Sequence, residues 1–499
     1  MPSASSETRA SSPLLSFVIL LAGSLLVGVS AGMWLAPLAA WIGPALLIRF
    51  ARDHKVWRGF GMVAAGLTLA FVLAFGGIWW AFGGLLAVAI LAVFYGLVWT
   101  LPYLADRVLV VRLHGFAASM VYPLAATTLE FVYIRTSPLG AWGATGFTQY
   151  GVQPLMQLAS VTGMVGITFL MGWFASLANK AWEHRARLSL MRRELWAFGG
   201  VLAVVLAFGA LRLTLAPLTS TSQTARVAGI TILTEPGFIG KYHGQWETAE
   251  AQQAIHSLRE AYFDATAREA RAGAQVVIWP EAAGIGSEVD DAALIDKAKD
   301  VAQEYGIYLT VPLGTQFPDP ARLQENRLLV IDPGGEVVID HLKYGGVAIE
   351  GSAAGSGVLQ AASTPLGVIS AIICYDADFP INVQRAGQLG AGLILVPSYD
   401  WLTIDPIHSQ MAVFRAIENG MSLVRQVNEG RSIAVDPYGR VLAQTDFFGA
   451  SDRTMVAQVP TAHVPTLYTA FGRWLDWLAP IGFLGIVGLA VFGRKDQAA

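Results

Sequence analysis

The chain owns a single thiol. Cys374 is its only cysteine, and an apolar run from Val368 to Ile373 leads into it and reads as a buried strand. The polar and proline-containing residues behind it, Tyr375 to Pro380, read as a sharp exit. A side chain at the C-terminal end of a buried strand sits where α/β folds carry their chemistry. The plain alternative is a cysteine acting as a small buried hydrophobe. Two more residues stand in the same kind of place. Glu281 closes the apolar stretch 274–281, and Lys343 follows the strand-like stretch 336–340. Cysteine supplies a nucleophile. Glutamate can act as base to the thiol and acid to a leaving group. Lysine can stabilise the thiolate and the oxyanion formed on an attacked carbonyl. Each has a structural reading alone: Glu281 as a neighbour of a helix cap after Trp279-Pro280, Lys343 as a solvated lysine at a strand end. Three such residues in the order Glu, Lys, Cys, each after an apolar strand, point to covalent catalysis at a carbonyl.

The elements that must position them lie between residues 224 and 465. Strands are predicted at 225–233, 274–281, 307–312, 327–332, 336–340, 368–373 and 391–396. Helices are predicted at 250–272, 290–305 and 408–420, the first two stopped by Gly273 and Gly306. Pro333-Gly334-Gly335 and Asp436-Pro437-Tyr438-Gly439 are hairpin turn signals. Strands alternating with helices predict an α/β sandwich or a doubly wound sheet.

The rest of the chain has a different character. Of 499 residues, 54% are hydrophobic, and the mean hydropathy of +0.51 is that of a polytopic membrane protein. The net charge of −3 gives no bulk attraction to nucleic acid. One cysteine excludes an intramolecular disulfide. After a polar, Ser-rich N-terminus at 1–13, expected to be disordered, apolar runs at 14–32, 33–50, 59–76, 78–100, 113–133, 154–178 and 195–215 form a membrane domain, 14–215, of seven candidate spans. A last one lies at 470–492. A cleaved signal peptide is the alternative for the first run, but its flank is weakly basic and further spans follow at once.

Charge sets the orientation. Arg49, Arg52, Lys55 and Arg58, then Arg107 and Arg112, then Lys180, Arg185, Arg187, Arg192 and Arg193, and finally Arg494 and Lys495 all fall on one side if the N-terminus is cytoplasmic. That satisfies the positive-inside rule and puts 224–465 on the opposite, extracytoplasmic face. Ionisable residues within the spans are scarce, Glu130 and His114 being the visible ones. The membrane part therefore reads as an anchor or lipid-facing vestibule, not an ion pathway.

Trp279-Pro280-Glu281 and Ile373-Cys374-Tyr375-Asp376 resemble the Glu and Cys motifs of the nitrilase (carbon–nitrogen hydrolase) superfamily. The flanking spans resemble its bacterial apolipoprotein N-acyltransferase branch. So do Thr128-Leu129-Glu130-Phe131, Gly146-Phe147-Thr148-Gln149-Tyr150, 158–163, 411–420 and 424–428. The resemblance implies an α-β-β-α sandwich inserted between transmembrane helices of the bacterial cytoplasmic (inner) membrane. It implies a Glu281-Lys343-Cys374 triad, no cofactor and no metal. Its partners are membrane lipid, a phospholipid acyl donor and the N-terminal diacylglyceryl-cysteine of a lipoprotein as acceptor. Backbone N–H groups after Cys374 would join Lys343 around the oxyanion. The pattern departs from the family in four places. Lys343 leads into 344–350 without the family's Leu-Val-Pro-Phe-Gly-Glu loop, so Glu350 stands nearest to its glutamate, one position short. The first strand runs into Thr234-Glu235-Pro236-Gly237 where the family has Gln-x-Asn. Tyr242 occupies a position that is usually Trp. Asp376 follows Cys-Tyr where the family favours Glu. Glu350, Tyr375, Asp376 and Tyr242 are thus candidates for oxyanion, supporting or substrate contacts. Two rival readings are a membrane-tethered amidase with water as acceptor, and a scaffold that kept the fold without the chemistry.

Overall fold

The computed structural model describes residues 12–493 except 186, 217–222, 235–237, 243–244, 320 and 473. The N-terminal tail up to residue 11, Glu235 to Gly237 after the first strand, and Arg494 and Lys495 lie outside the described residues.

The C-terminal half is built on two sheets. The first holds β1 (Thr224–Gly229), β2 (Val276–Ile278), β3 (Gly284–Ser287), β4 (Tyr308–Gln316), β5 (Glu325–Ile331) and β6 (Val337–Leu342). The second holds β7 (Ala361–Thr364), β8 (Gly367–Ala371), β9 (Leu393–Tyr399), β10 (Ser422–Asn428), β11 (Arg431–Val435) and β12 (Val441–Asp446). β13 (Met455–Pro460) returns to the first sheet, whose order is β13-β1-β2-β4-β5-β6 with β3 also on β4; the second runs β12-β11-β10-β9-β8-β7. β1, β2 and β4 are mutually parallel, and so are β8, β9 and β10.

Side chains alternate across a strand, and that period makes the layers. Val276 and Ile278 of β2, with Leu393 and Leu395 of β9, point into the core between the sheets. Val277 faces outward to Tyr262, Phe263, Leu294 and Ala298, from the helices Ala249–Arg271 and Glu288–Tyr305. Ile394 and Val396 face outward on the other side, toward Met411, Phe414 and Ile417 of the helix Ile407–Asn419. The result is an α-β-β-α sandwich. β3 and β7 escaped the pattern because each has four residues, too few to establish a period.

The N-terminal half is helical: α1 (Pro13–Ser30), α2 (Ala39–Asp53), α3 (Val56–Leu109) and α4 (Gly115–Thr136), followed by the helices Val165–Glu183 and Arg192–Leu215. Trp474–Phe492 comes after the sandwich. Among the described residues, five helices are long and apolar enough to cross a membrane, or six if one bent pair counts as a single span. α3 runs for 54 residues, about 80 Å of helix at ~1.5 Å per residue, against a hydrocarbon core of ~30 Å. It breaks at Gly83 and Gly84, the latter at φ 60, ψ −148, a conformation open to glycine alone. Its halves then fold back on each other, with Trp79 stacked on Tyr95 at 5.6 Å and Phe71 meeting Trp99 at 6.0 Å. The break falls inside the apolar run 78–100 and not at its boundary with the run 59–76.

The run 154–178 is also not one straight helix. Short helices over 153–162 bend by 116° into Val165–Glu183. Gly163 sits at φ 68 in the corner, where a Cβ would come within 2.8 Å of the Tyr468 ring. The bent segment grips the sandwich. Gln157 donates to the Tyr438 carbonyl at 2.9 Å, and the Met164 N–H donates to Glu418 at 3.1 Å. Phe147 packs on Phe414 at 5.2 Å. One apolar core runs from α3 and α4 into the outer face of the second sheet. Glu130 is part of this fabric: its buried carboxylate accepts from the Thr145 N–H at 2.9 Å and the Thr168 hydroxyl at 2.8 Å.

Candidate active site

The first sheet delivers Glu281. Trp279 is wholly buried against Tyr262 and Phe263, and its indole N–H donates to Thr266 at 2.9 Å. Pro280 ends the ladder because it has no N–H to offer. Ala282 then takes φ 59, so the chain turns sharply at Glu281. β6 delivers Lys343, whose own N–H donates to the Asn326 carbonyl at 2.9 Å. Lys343 is 0% exposed. Its Nζ donates to Glu281 Oε1 at 2.6 Å and to Glu350 Oε1 at 2.5 Å. Burial alone would strip the charge from this lysine, but Glu281, then the thiol, then Glu350 pull its pKa above the ordinary lysine value. Glu350 closes the short helix Val347–Glu350. Burial raises its pKa, Lys343 opposes, and Glu281 adds to the rise.

The second sheet delivers Cys374. After β8 the chain passes Ile372 and Ile373 and enters a tight turn in which Cys374 takes φ 44, a left-handed conformation that costs a non-glycine residue about 1–3 kcal/mol. Asp376 holds that turn in place. One carboxylate oxygen accepts from the Ile373 N–H at 2.9 Å and lies 2.8 Å from His341 Nε2. The other accepts from the N–H groups of Tyr344 at 3.0 Å and Gly345 at 2.7 Å. Asp376 is fully buried, so it joins the Lys343 loop to the Cys374 turn instead of lining the mouth of the site.

Tyr399, at the end of β9, links the two halves. Its N–H donates to Glu281 Oε2 at 2.8 Å, and its carbonyl accepts from the Cys374 thiol at 3.6 Å. Asn326 donates to Glu281 Oε1 at 2.6 Å. Neither residue stood out in the sequence, although Tyr399 obeys the strand-end rule that picked out the others. Behind the thiol lies a buried network. Arg425 holds both Asp400 oxygens at 2.7 and 2.8 Å, and His408 reaches Asp400 at 3.0 Å and Asp378 at 2.7 Å. Burial and Arg425 push the His408 pKa down, but the two carboxylates prevail and hold it well above the ordinary histidine value. The Arg425 guanidinium stands 3.9 Å from Sγ. Burial raises the Cys374 pKa, Glu281 raises it further, and Lys343 and His408 oppose. Cys374, Asp400 and His408 offer ligand atoms within 4.8 Å of one another. Arg425 occupies the same spot and already balances the charge of Asp400, which leaves a cation little to neutralise.

Above the thiol is a cavity of about 700 Å³. Cys374, Tyr375, Tyr399 and Glu350 line one side, and Ile78, Phe82, Leu91 and Phe94 of the α3 hairpin line the other. The loop after α4 completes the wall. Trp142 stacks on Tyr375 at 6.0 Å, and the Ala141 N–H donates to the Asp378 carbonyl at 2.7 Å. Tyr242 is not part of this. It packs with Trp246 and Ile285 in a small cluster, and its hydroxyl lies 3.4 Å from Glu250.

The chain matches the family model for carbon-nitrogen hydrolase over residues 239–466 and that for the apolipoprotein N-acyltransferase N-terminal domain over 16–177. An apolipoprotein N-acyltransferase of Geobacter metallireducens is 23% identical over 415 residues, covering 77% of this chain and 76% of its own. One from Brucella melitensis is 25% identical over 512 residues, covering 91% and 88%. An amidase from Nesterenkonia sp. is similar in structure at 22% identity and a TM-score of 0.39, covering 48% of this chain and 91% of its own.

Proposed function

Because the chain is an apolipoprotein N-acyltransferase-like membrane protein of the nitrilase (carbon–nitrogen hydrolase) superfamily, we propose that it moves an acyl chain from a phospholipid, through a thioester on Cys374, to the α-amine of a lipoprotein's N-terminal diacylglyceryl-cysteine. The observation that carries this reading is the apolar cavity over Cys374, walled by helices of the membrane domain. An acyl chain fits such a wall. Water as the acceptor is better served by a small polar pocket, which is why transfer is preferred to amidase chemistry.

The steps balance as follows. Sγ adds to the ester carbonyl while Glu281 takes the thiol proton. The carbon–oxygen bond breaks, and Glu281 returns that proton to the departing lysophospholipid oxygen. The neutral amine then adds to the thioester carbonyl and gives a proton to Glu281. The carbon–sulfur bond breaks, and the proton passes to the leaving thiolate. In both addition intermediates Lys343, with the backbone N–H of Tyr375, faces the oxyanion. Glu281 and Lys343 enter this chemistry preorganised by Asn326, Tyr399 and Glu350, so little reorganisation is needed at the moment of reaction.

We further propose eight membrane crossings, with α3 supplying two, and the sandwich on the extracytoplasmic side. The support is the distribution of basic residues. A reporter active only outside the cytoplasm, inserted after Thr221, should be active; a silent one there refutes the orientation. The chemistry is tested by incubating the purified protein with phospholipid and no acceptor. The intact mass should rise by one acyl group, hydroxylamine should remove it, and Cys374→Ala should show no gain. Wild-type acyl transfer by Cys374→Ala would refute the proposal, and a thioester that only hydrolyses would favour the amidase.

A further inference from the structure

A second cavity, of about 900 Å³, lies on the far side of Glu350 from the apolar one. Glu350 borders both, so the turn Val347–Glu350 is the partition between them. The two differ in chemistry. The second is lined by Thr248, Ser287, Gln316, Arg322 and Gln324, with Trp246 and Phe317 as its aromatic surfaces. A chain of amides leads from it to the partition: Gln316 donates to Gln324 at 2.9 Å, and Gln324 donates to the Glu350 carbonyl at 3.1 Å. Trp246 is 6% exposed, yet its indole N–H has no hydrogen-bond partner among the described residues.

Resting on the proposed function, we infer that this cleft receives the polypeptide of the acceptor, the residues that follow its lipidated cysteine. The acceptor is an amphiphile. Its acyl chains suit the apolar cavity, but each peptide unit carries an N–H and a C=O that resist transfer to such a place unpaired. The cleft answers that need. Glutamine offers a donor and an acceptor together, and serine and threonine hydroxyls do the same. Such groups pair with a peptide backbone whatever its side chains. The volume lies at the upper end of small-ligand sites, room for a few residues. The amine would then reach the thioester past Glu350, with lipid on one side and peptide on the other.

The test compares two acceptors with the full-length protein in detergent–phospholipid micelles: a diacylglyceryl-cysteine amide, and the same lipid on a six-residue peptide. Wild type should show a KM for the lipopeptide at least about fivefold below that for the amide. Trp246→Phe and Gln316→Leu should each raise the lipopeptide KM about five- to tenfold, with kcat within about twofold. Neither should change the KM for the amide or the rate of thioester formation without acceptor. Arg322→Ala, at a half-exposed position, serves as the third variant should Trp246→Phe fail to fold. Equal KM values for the two acceptors in wild type, or variants that shift both alike, would overturn the assignment. Failure of wild type to form a thioester would overturn acyl transfer itself, a separate result.

Discussion

Asp376→Asn is the sharpest probe of how the site is held together. The native carboxylate accepts three backbone N–H groups and faces His341, all at 2.7–3.0 Å, and none of its surface is exposed. An amide has one oxygen. If it keeps Tyr344 and Gly345, the NH2 faces the Ile373 N–H, donor against donor; if it keeps Ile373, two N–H groups on the Lys343 loop lose their acceptor. Each unpaired buried donor costs ~1–3 kcal/mol. The better arrangement leaves one orphan, while the other bonds weaken from charged to neutral, so stability should fall by roughly 2–4 kcal/mol. The Cys374 turn is left-handed and held from outside, so it should relax. A displacement of ~1 Å at the reacting atom costs about a hundredfold in rate. Thioester formation, followed by intact mass under single-turnover conditions, should therefore slow by about a hundredfold, with donor affinity little changed. The midpoint of thermal unfolding should fall together with the rate. A variant that keeps the wild-type midpoint and rate would refute the claim that Asp376 holds the turn.

Glu350→Ala removes one of the two carboxylates on Lys343; a hydrogen bond between charged groups is worth ~1.5–3 kcal/mol, so thioester formation should slow by about ten- to a hundredfold, and a rate within twofold of wild type would make Glu350 a bystander. The Cys374 thiol is pushed up by burial first and by Glu281 second, so its thiolate appears only above the ordinary cysteine pKa of about 8.5: alkylation by iodoacetamide should stay slow at pH 7–8 and climb beyond that pH. Glu281→Gln deletes the second cause and should move that rise to lower pH; a shift to higher pH would contradict the electrostatic account.

Legibility in the sequence followed burial. Glu281 and Cys374 could be picked out because each follows a buried apolar run, and a reactive group after such a run breaks the pattern; Lys343 ends a strand exposed on one face, Val337–Leu342, and was marked by its place between the other two. Glu350 was reached by its likeness to the glutamate of the family's loop, one position out of register, and its carboxylate lies 2.5 Å from Lys343 Nζ. Tyr242 was reached by alignment to a motif alone, and it packs elsewhere. The supporting role of Asp376 is hidden in the sequence because three of its contacts are to backbone N–H groups, which leave no trace there. Arg425 does carry a signal in the sequence: a charge between Val424 and Gln426 in an otherwise buried strand needs a partner of opposite sign, and Asp400 supplies it. The break at Gly83-Gly84 was hidden by apolar residues on both sides. Hydropathy measures transfer from water, not direction, so two helices folded on each other read like consecutive runs.

The pairing of β1 with β13 bears on how the protein is made. Thr224 lies opposite Pro460 and Gly229 opposite Met455, so the first strand of the sandwich waits for the last. During synthesis β2 can join β1 early, but the chain must deliver more than two hundred residues beyond β1 before its antiparallel neighbour β13 emerges, and only then does this edge of the sheet close. The same pairing puts entry and exit side by side. An inserted unit whose ends are neighbours can be acquired by a host protein without breaking the host's own packing. The membrane helices before residue 216 and the helix after 473 could therefore have been an uninterrupted bundle before the sandwich entered it. That history is open to trial: a flexible linker joining Ala216 to Trp474 should yield a helical protein that inserts without the sandwich.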